Sequence, residues 1–175
     1  ADGLRQLRLV RTQIDGTILV GSGPVEDLAA GQALQAGIAA TRPLDATPMQ
    51  IDFREVSVSG FAVAGALLYH VEGAWQGGGV RDGYGIGLIT EASPMLEVQD
   101  IDVTNIRERA FSSDASAAPV AFGVIFGEGT EARTDGLVVG SIEGVGVLQD
   151  AAYGEHLRMW SGVNDLSGLW VQRVP

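Results

Sequence analysis

The chain has 175 residues, with 25 glycines, 22 carboxylates against 11 cations, a formal net charge of −11 and 46% hydrophobic residues. Every cation is an arginine, and neither lysine nor cysteine occurs. So acidic a surface is repelled by phosphate backbones and anionic lipid, which argues against nucleic-acid and membrane-surface partners; without cysteine there are no disulfides, thiolate nucleophiles or iron–sulfur clusters, and without lysine there is no Schiff base and no Walker loop.

The length suits a single domain, 1–175, with ample material for a core. The longest apolar stretch, Gly60 to Val71, carries His70 and is too short to span a bilayer, so no membrane insertion is expected. The chain opens on Ala-Asp-Gly rather than on methionine, which leads us to expect a processed protein or a piece of a longer one.

In chain order, period-two patterning predicts short strands at Leu7-Arg-Leu9, Ile51-Asp-Phe53-Arg-Glu-Val56-Ser-Val58, Leu96-Glu-Val98-Gln-Asp-Ile101-Asp-Val103 and Leu137-Val-Val139. The second and third superpose without gaps at an offset of 45, and the third superposes on Ala132 to Ile142 at an offset of 36. Their shared pattern is apolar, x, apolar or Thr, x, x, apolar, x, apolar, x, x, apolar. Weaker copies lie at Leu4 to Leu9 and Val163 to Leu166. A second motif follows each copy: Ala36-Gly-Ile38, Tyr84-Gly-Ile86-Gly-Leu88, Ala121-Phe-Gly-Val124, Val145-Gly-Val147 and Gly168-Leu169-Trp-Val171. Spacing from the second motif to the next first motif stays between 15 and 20 residues, whereas spacing from first to second ranges from 6 to 29. One corner of the repeat is therefore constant and the other carries insertions, with a minimal unit of 24 residues between Ile142 and Leu166.

A unit of about two dozen residues that cannot bury its inner face alone reads as one turn of a stacked solenoid. With these motifs the chain resembles a right-handed parallel β-helix of the pectin-lyase-like kind, and most of all the β-helix segments of large secreted bacterial proteins rich in Gly, Arg and Ala. The resemblance implies an all-β fold of about five coils, with long corner insertions in coils one to three at 13–35, 62–83 and 107–120. The first insertion predicts a short helix from Pro24, and the third, Ser112 to Pro119, is small and polar. The inner stacks are expected to be Phe53, Val56, Val58 and Phe61 over Val98, Ile101, Val103 and Ile106, then Leu137, Val139 and Ile142. Outward columns are expected to be Asp52, Glu97, Arg133 and Arg54, Gln99, Asp135.

The 62–83 insertion holds the candidate binding set Tyr69, Trp75, Arg81, Asp82 and Tyr84, because ring faces stack on sugar CH groups while charged groups take the hydroxyls. The plainer alternative is that Tyr69 and Trp75 pack this segment onto the wall. Glu55, Asp100 and Asp102 form the candidate Ca²⁺-binding acidic patch, against the alternative of a solvated strand face. Many relatives implied by the resemblance cut acidic polysaccharides, and Asp100 with Asp102, two residues apart on a strand, is the carboxylate pair that such chemistry would use. Thr134-Asp135-Gly136 matches part of a polygalacturonase motif, but the Asp-Asp pair, the Gly-His-Gly and the Arg-x-Lys of that pattern are missing. No histidine stands where it would pair with a nucleophile. The expectation is a non-catalytic secreted or envelope-associated bacterial module with a structural or recognition role and no cofactor, partnered by polysaccharide or by another β-helix segment or subunit. The alternative is a carbohydrate-binding or polysaccharide-cleaving β-helix. With no capping helix predicted, the chain is expected to continue into a longer β-helix or to stack end-on, and a trimeric tailspike-like or adhesin-like assembly is a third class.

Overall fold

A computed structural model describes residues 5–16, 18–21, 36–109, 121–149, 158–160, 164–165 and 170–171. The helix expected from Pro24 and the polar segment Ser112 to Pro119 lie outside the described residues. All described regular structure is β, in strands β1 (Gln6–Val10), β2 (Gln13–Asp15), β3 (Ile18–Gly21), β4 (Ala36–Thr41), β5 (Met49–Ser59), β6 (Ala64–Tyr69), β7 (Val71–Tyr84) and β8 (Ile86–Glu91). There follow β9 (Met95–Arg107), β10 (Phe122–Phe126), β11 (Ala132–Asp135), β12 (Val138–Ile142), β13 (Val145–Gln149), β14 (Arg158–Trp160), β15 (Asn164–Asp165) and β16 (Trp170–Val171).

From β4 to β10 successive strands alternate between two sheets. One has the order β1-β5-β7-β9-β11, with β2 beside β5 and β12 beside β9; the other has β3-β4-β6-β8-β10-β13. All these pairings are parallel. The expected superposition is observed: Val98 is two strands from Phe53 in the same register, and Thr134 follows Val98.

The expected insertion at 62–83 is corrected. It contains β6 and nearly all of β7, so the offset of 45 spans two strand spacings, with Gly73 between Ile51 and Leu96 and Trp75 between Phe53 and Val98. The pattern was broken there because glycine occupies inward positions. Gly78 stands opposite Val56, and a Cβ on Gly83 would lie 2.2 Å from the Phe61 ring, which fills that space from the neighbouring strand. With β7 recognised, the corner assigned as variable is short in three places, where six positions separate Val58 from Ala64, Val80 from Ile86 and Val139 from Val145, while the equivalent step from Val103 to Phe122 is 19 and keeps the expected insertion at 107–120. The first insertion is likewise interrupted by β2 and β3. A further correction concerns the last copy of the repeat: among the described residues β14, β15 and β16 pair antiparallel with β13, β12 and β11, and not parallel as expected.

The two adjacent spacer residues of the pattern have a structural meaning. Arg11, Glu55, Gly77, Asp100 and Gly136 occupy equivalent positions on neighbouring strands, and all have positive φ, from 48° to 75°. They bend each strand of the first sheet at the same level. Asp82, Asn105 and Ser141 make a second such column at the end of that sheet, and His70, Ala92 and Gly129 a third at the start of the next strand. Left-handed geometry costs most residues about 1–2 kcal/mol, less for Asp and Asn, which bond locally. Repetition at the same level shows that the stacked ladder hydrogen bonds hold these bends in place.

The main core lies between the sheets. Phe53, Val56, Val58, Phe61, Val98, Ile101, Val103, Ile106, Leu137 and Val139 are buried as expected, with Ile142 partly buried against them. Trp75 meets Phe53 edge-on, with centroids 5.6 Å apart. Close approach of the sheets is set by a column of Gly37, Gly65, Gly87 and Gly123, each facing a valine of the other sheet: Val58, Val80, Val103 and Val139. The opposite face of the second sheet carries a smaller apolar cluster of Ala36, Ala39, Ala64, Leu67 and Ile86, with Ile89, Phe122 and Ile125 packed against it.

Candidate functional site

The five candidate binding residues do not form one site. Trp75 is fully buried in the core, so the expectation that it offers a stacking face to a ligand is corrected: its inward position on β7, between Phe53 and Val98, makes it core material. Arg81, Asp82 and Tyr84 lie together at the C-terminal end of β7. There Asn105 donates to the Asp82 carboxylate, and the Arg107 guanidinium stands 5.9 Å from the centre of the Tyr84 ring. Tyr69 is at the opposite end of that strand, closing β6.

The acidic candidates are also separated. Glu55 accepts from Arg11 Nε at 2.9 Å. Asp100 occupies the bend two strands away, with Gly77 between them. Asp102 lies beyond the bend, on the outward side of the next stretch of β9. No three His, Asp or Glu among the described residues are grouped to hold a metal ion, so the patch of Glu55, Asp100 and Asp102 does not supply a three-ligand Ca²⁺ site. No helix among the described residues is long and apolar enough to cross a membrane.

The outward columns require the same adjustment. Ala74 separates Asp52 from Glu97, and Gln76 separates Arg54 from Gln99. Asp52 is held by Arg8 at 3.2 Å and by Arg54 at 2.8 Å, and Gln76 donates to Gln99 Oε1 at 3.1 Å. Because Ala74 and Gly73 carry so little side chain, a shallow depression of about 490 Å³ opens over them, flanked by Asp52, Glu72 and Glu97.

A second depression, of about 520 Å³, lies at the corner where β6 leads into β7 and β8 into β9. Tyr69, His70, Glu91 and Glu128 line it, with Leu44 and Pro94. Backbone hydrogen bonds fix this corner: His70 N donates to Glu91 O at 3.0 Å and Ala92 N to Glu128 O at 2.7 Å. His70 is only 8% exposed and its Nδ1 lies 2.8 Å from Pro43 O. A carbonyl only accepts, so Nδ1 carries the proton in this hydrogen bond. Of these lining residues only Tyr69 belongs to the binding set expected from the sequence, where it was grouped with Trp75, Arg81, Asp82 and Tyr84; His70, Glu91 and Glu128 were missed. The signal was the alignment of Leu67-Leu-Tyr69-His70 with Ile89-Thr-Glu91-Ala92 at an offset of 22, hidden while β6 was read as part of an insertion.

Comparison with protein-family models, with curated proteins and with solved structures finds no match for this chain.

Proposed function

We propose that the chain is a right-handed parallel β-helix of the pectin-lyase-like kind, working as a secreted or envelope-associated structural and recognition module without catalysis. The observation that carries this reading is the stacking of left-handed bends in three columns, together with the alternation of successive strands between two parallel sheets. Right-handed crossover is the rule for parallel strands joined in this way. The exterior supports the structural role. Outward polar side chains tie neighbouring strands together through Arg8 with Asp52, Arg11 with Glu55, Gln76 with Gln99 and Asn105 with Asp82. Asp100, of the pair considered for glycan cleavage, is itself the bend residue of β9, and Asp102 lies on the straight stretch beyond it. A polysaccharide or another β-helix segment is the partner such a wall fits.

The test is incubation of the purified chain with neutral and acidic polysaccharides, followed by assay of reducing ends and of unsaturated uronates. No release is expected. Release that disappears in Asp100→Asn or Asp102→Asn would overturn the non-catalytic assignment.

A further inference from the structure

We infer that the edge formed by β1 and β2 takes up, as an added parallel strand, an extended acidic segment of another polypeptide, which deepens the recognition part of the function proposed above and rests on its stacked-strand reading. Three observations lead there. First, the two ends of the first sheet differ among the described residues: β11 and β12 are each paired with an antiparallel strand, β16 and β15, whereas β1 and β2 pair with β5 alone. The bonds to β5 use the backbone of alternate residues, since Gln50 N donates to Arg5 O, Arg11 N to Arg54 O and Ser57 N to Thr12 O. Successive residues of an extended strand turn their N–H and C=O to opposite edges, so those of Gln6, Arg8, Val10 and Gln13 face away from β5. Secondly, neither a proline nor an inward charge blunts this edge. Leu7, Leu9 and Ile14 face the core, and Arg11 bends at φ of 48° on the level of Glu55 and Gly77, so β1 and β2 repeat the outline that β5 offers to β7. Thirdly, the outward charge of the edge has one sign. Arg5 to Arg11 holds three arginines and no carboxylate in a chain of net charge −11. Arg8 and Arg11 approach Asp52 and Glu55 by their Nε at 3.2 and 2.9 Å, yet their side chains are 60% and 80% exposed.

That charge selects the occupant. A guanidinium carries five N–H donors, so one that approaches β5 by its Nε still has donors for a carboxylate on its other side. The spacing required is the one β5 already shows, with Asp52 opposite Arg8 and Glu55 beside Arg11. A strand laid on the far side of β1 with that spacing puts apolar residues next to Leu7 and Leu9 and carboxylates next to the two arginines. Ladder hydrogen bonds then supply the attraction, and the side-chain pairs decide which strand is taken. Two copies meeting through β1 would instead bring these arginines against each other, and like charges across a strand pair repel. The overall charge of −11 opposes an acidic partner at long range. In physiological salt that field is screened beyond about 8 Å, so the arginines at the edge outweigh it.

Amide hydrogen exchange of the intact chain, followed by NMR in about 0.15 M salt, is the direct test. The probe is a synthetic copy of Met49–Ser59 carrying Arg54→Thr, and the control probe carries Asp52→Asn and Glu55→Gln in addition. Without probe, the amides of Arg8 and Val10 should exchange about tenfold or more faster than those of Leu7 and Leu9, and saturating probe should remove that difference. The control should bind about fivefold more weakly, the worth of a pair of exposed ion pairs. Val10→Pro, which removes an outer N–H and no bond to β5, should abolish protection by the probe with the fold retained. Arg8→Gln combined with Arg11→Gln should weaken binding about fivefold as well, whereas Arg133→Gln, the loss of an exposed arginine on β11, should leave affinity within about a factor of two. Arg8 and Val10 amides already slow in the free chain, protection that appears with chain concentration alone, equal binding of the two probes, or undiminished binding by Val10→Pro would overturn the acidic strand. These failures are distinct from failure of the non-catalytic reading, which only glycan cleavage reveals.

Discussion

Gly65→Ala is the sharpest probe of how the two sheets meet. A Cβ on Gly65 would lie 2.1 Å from Val80 Cγ1 and 2.6 Å from Gly87 O. The first clash is with a fully buried side chain whose neighbours leave it no room to swing, and the second is with a ladder carbonyl that cannot rotate away. Overpacking of a close-packed interior costs about 1–3 kcal/mol, and this geometry places the substitution at the upper end, about 3 kcal/mol. Val80→Ala alone loses two buried methyl groups and leaves a small cavity, costing about 2 kcal/mol. In the double variant the new methyl enters the space that the valine vacates, so the combined cost should fall short of additivity by about 1–2 kcal/mol. Urea unfolding of the four chains, with a common dependence on denaturant, measures the coupling. Additivity within about 0.5 kcal/mol would refute the argument that the glycine column exists to admit the valines.

Trp75→Ala should cost about 3–5 kcal/mol because it empties a fully buried site beside Phe53; calorimetric melting checks this, and unchanged stability would place the ring outside the core. Ala92→Gly should stabilise by up to about 1 kcal/mol and Ala92→Val should destabilise by a similar amount or more, since φ at this position is 51°; opposite signs in denaturant midpoints are the required result. Asp52→Asn should cost no more than about 1 kcal/mol and less at high salt, because Arg8 and Arg54 are more than half exposed; a salt-independent loss of several kcal/mol would contradict this.

The positions of the main inner stacks were legible in the sequence because period-two alternation survives wherever each strand fills its own share of the core, as β5, β9 and β12 do. The paired spacer residues Arg54-Glu55, Gln99-Asp100 and Asp135-Gly136 were visible as a gap in that alternation, and the structure gives the gap its cause, a left-handed bend. β7 was illegible for a physical reason. Gly73 and Gly78 put no side chain into the interior, at positive φ where a Cβ would strike the β5 backbone at Ile51 O and Val56 O, and the space beside Gly83 is filled by Phe61, so the apolar pattern of that strand is interrupted and resides partly on another.

The candidate sites failed as a set for the same reason. Treating 62–83 as a projecting segment placed Trp75 beside Arg81 on a surface, whereas a full strand carries one inward and the other to its far end. The corner depression joins His70 to Glu91 and Glu128, residues 21 and 58 positions away along the chain, and no local pattern relates them. By itself the sequence determined a repeating, acidic, all-β chain with its core positions in register, because alternation and composition are local properties. Only the tertiary structure decided which strands stand side by side, which side chains reach the outside and which residues meet at one corner, because those depend on how one strand packs against the next.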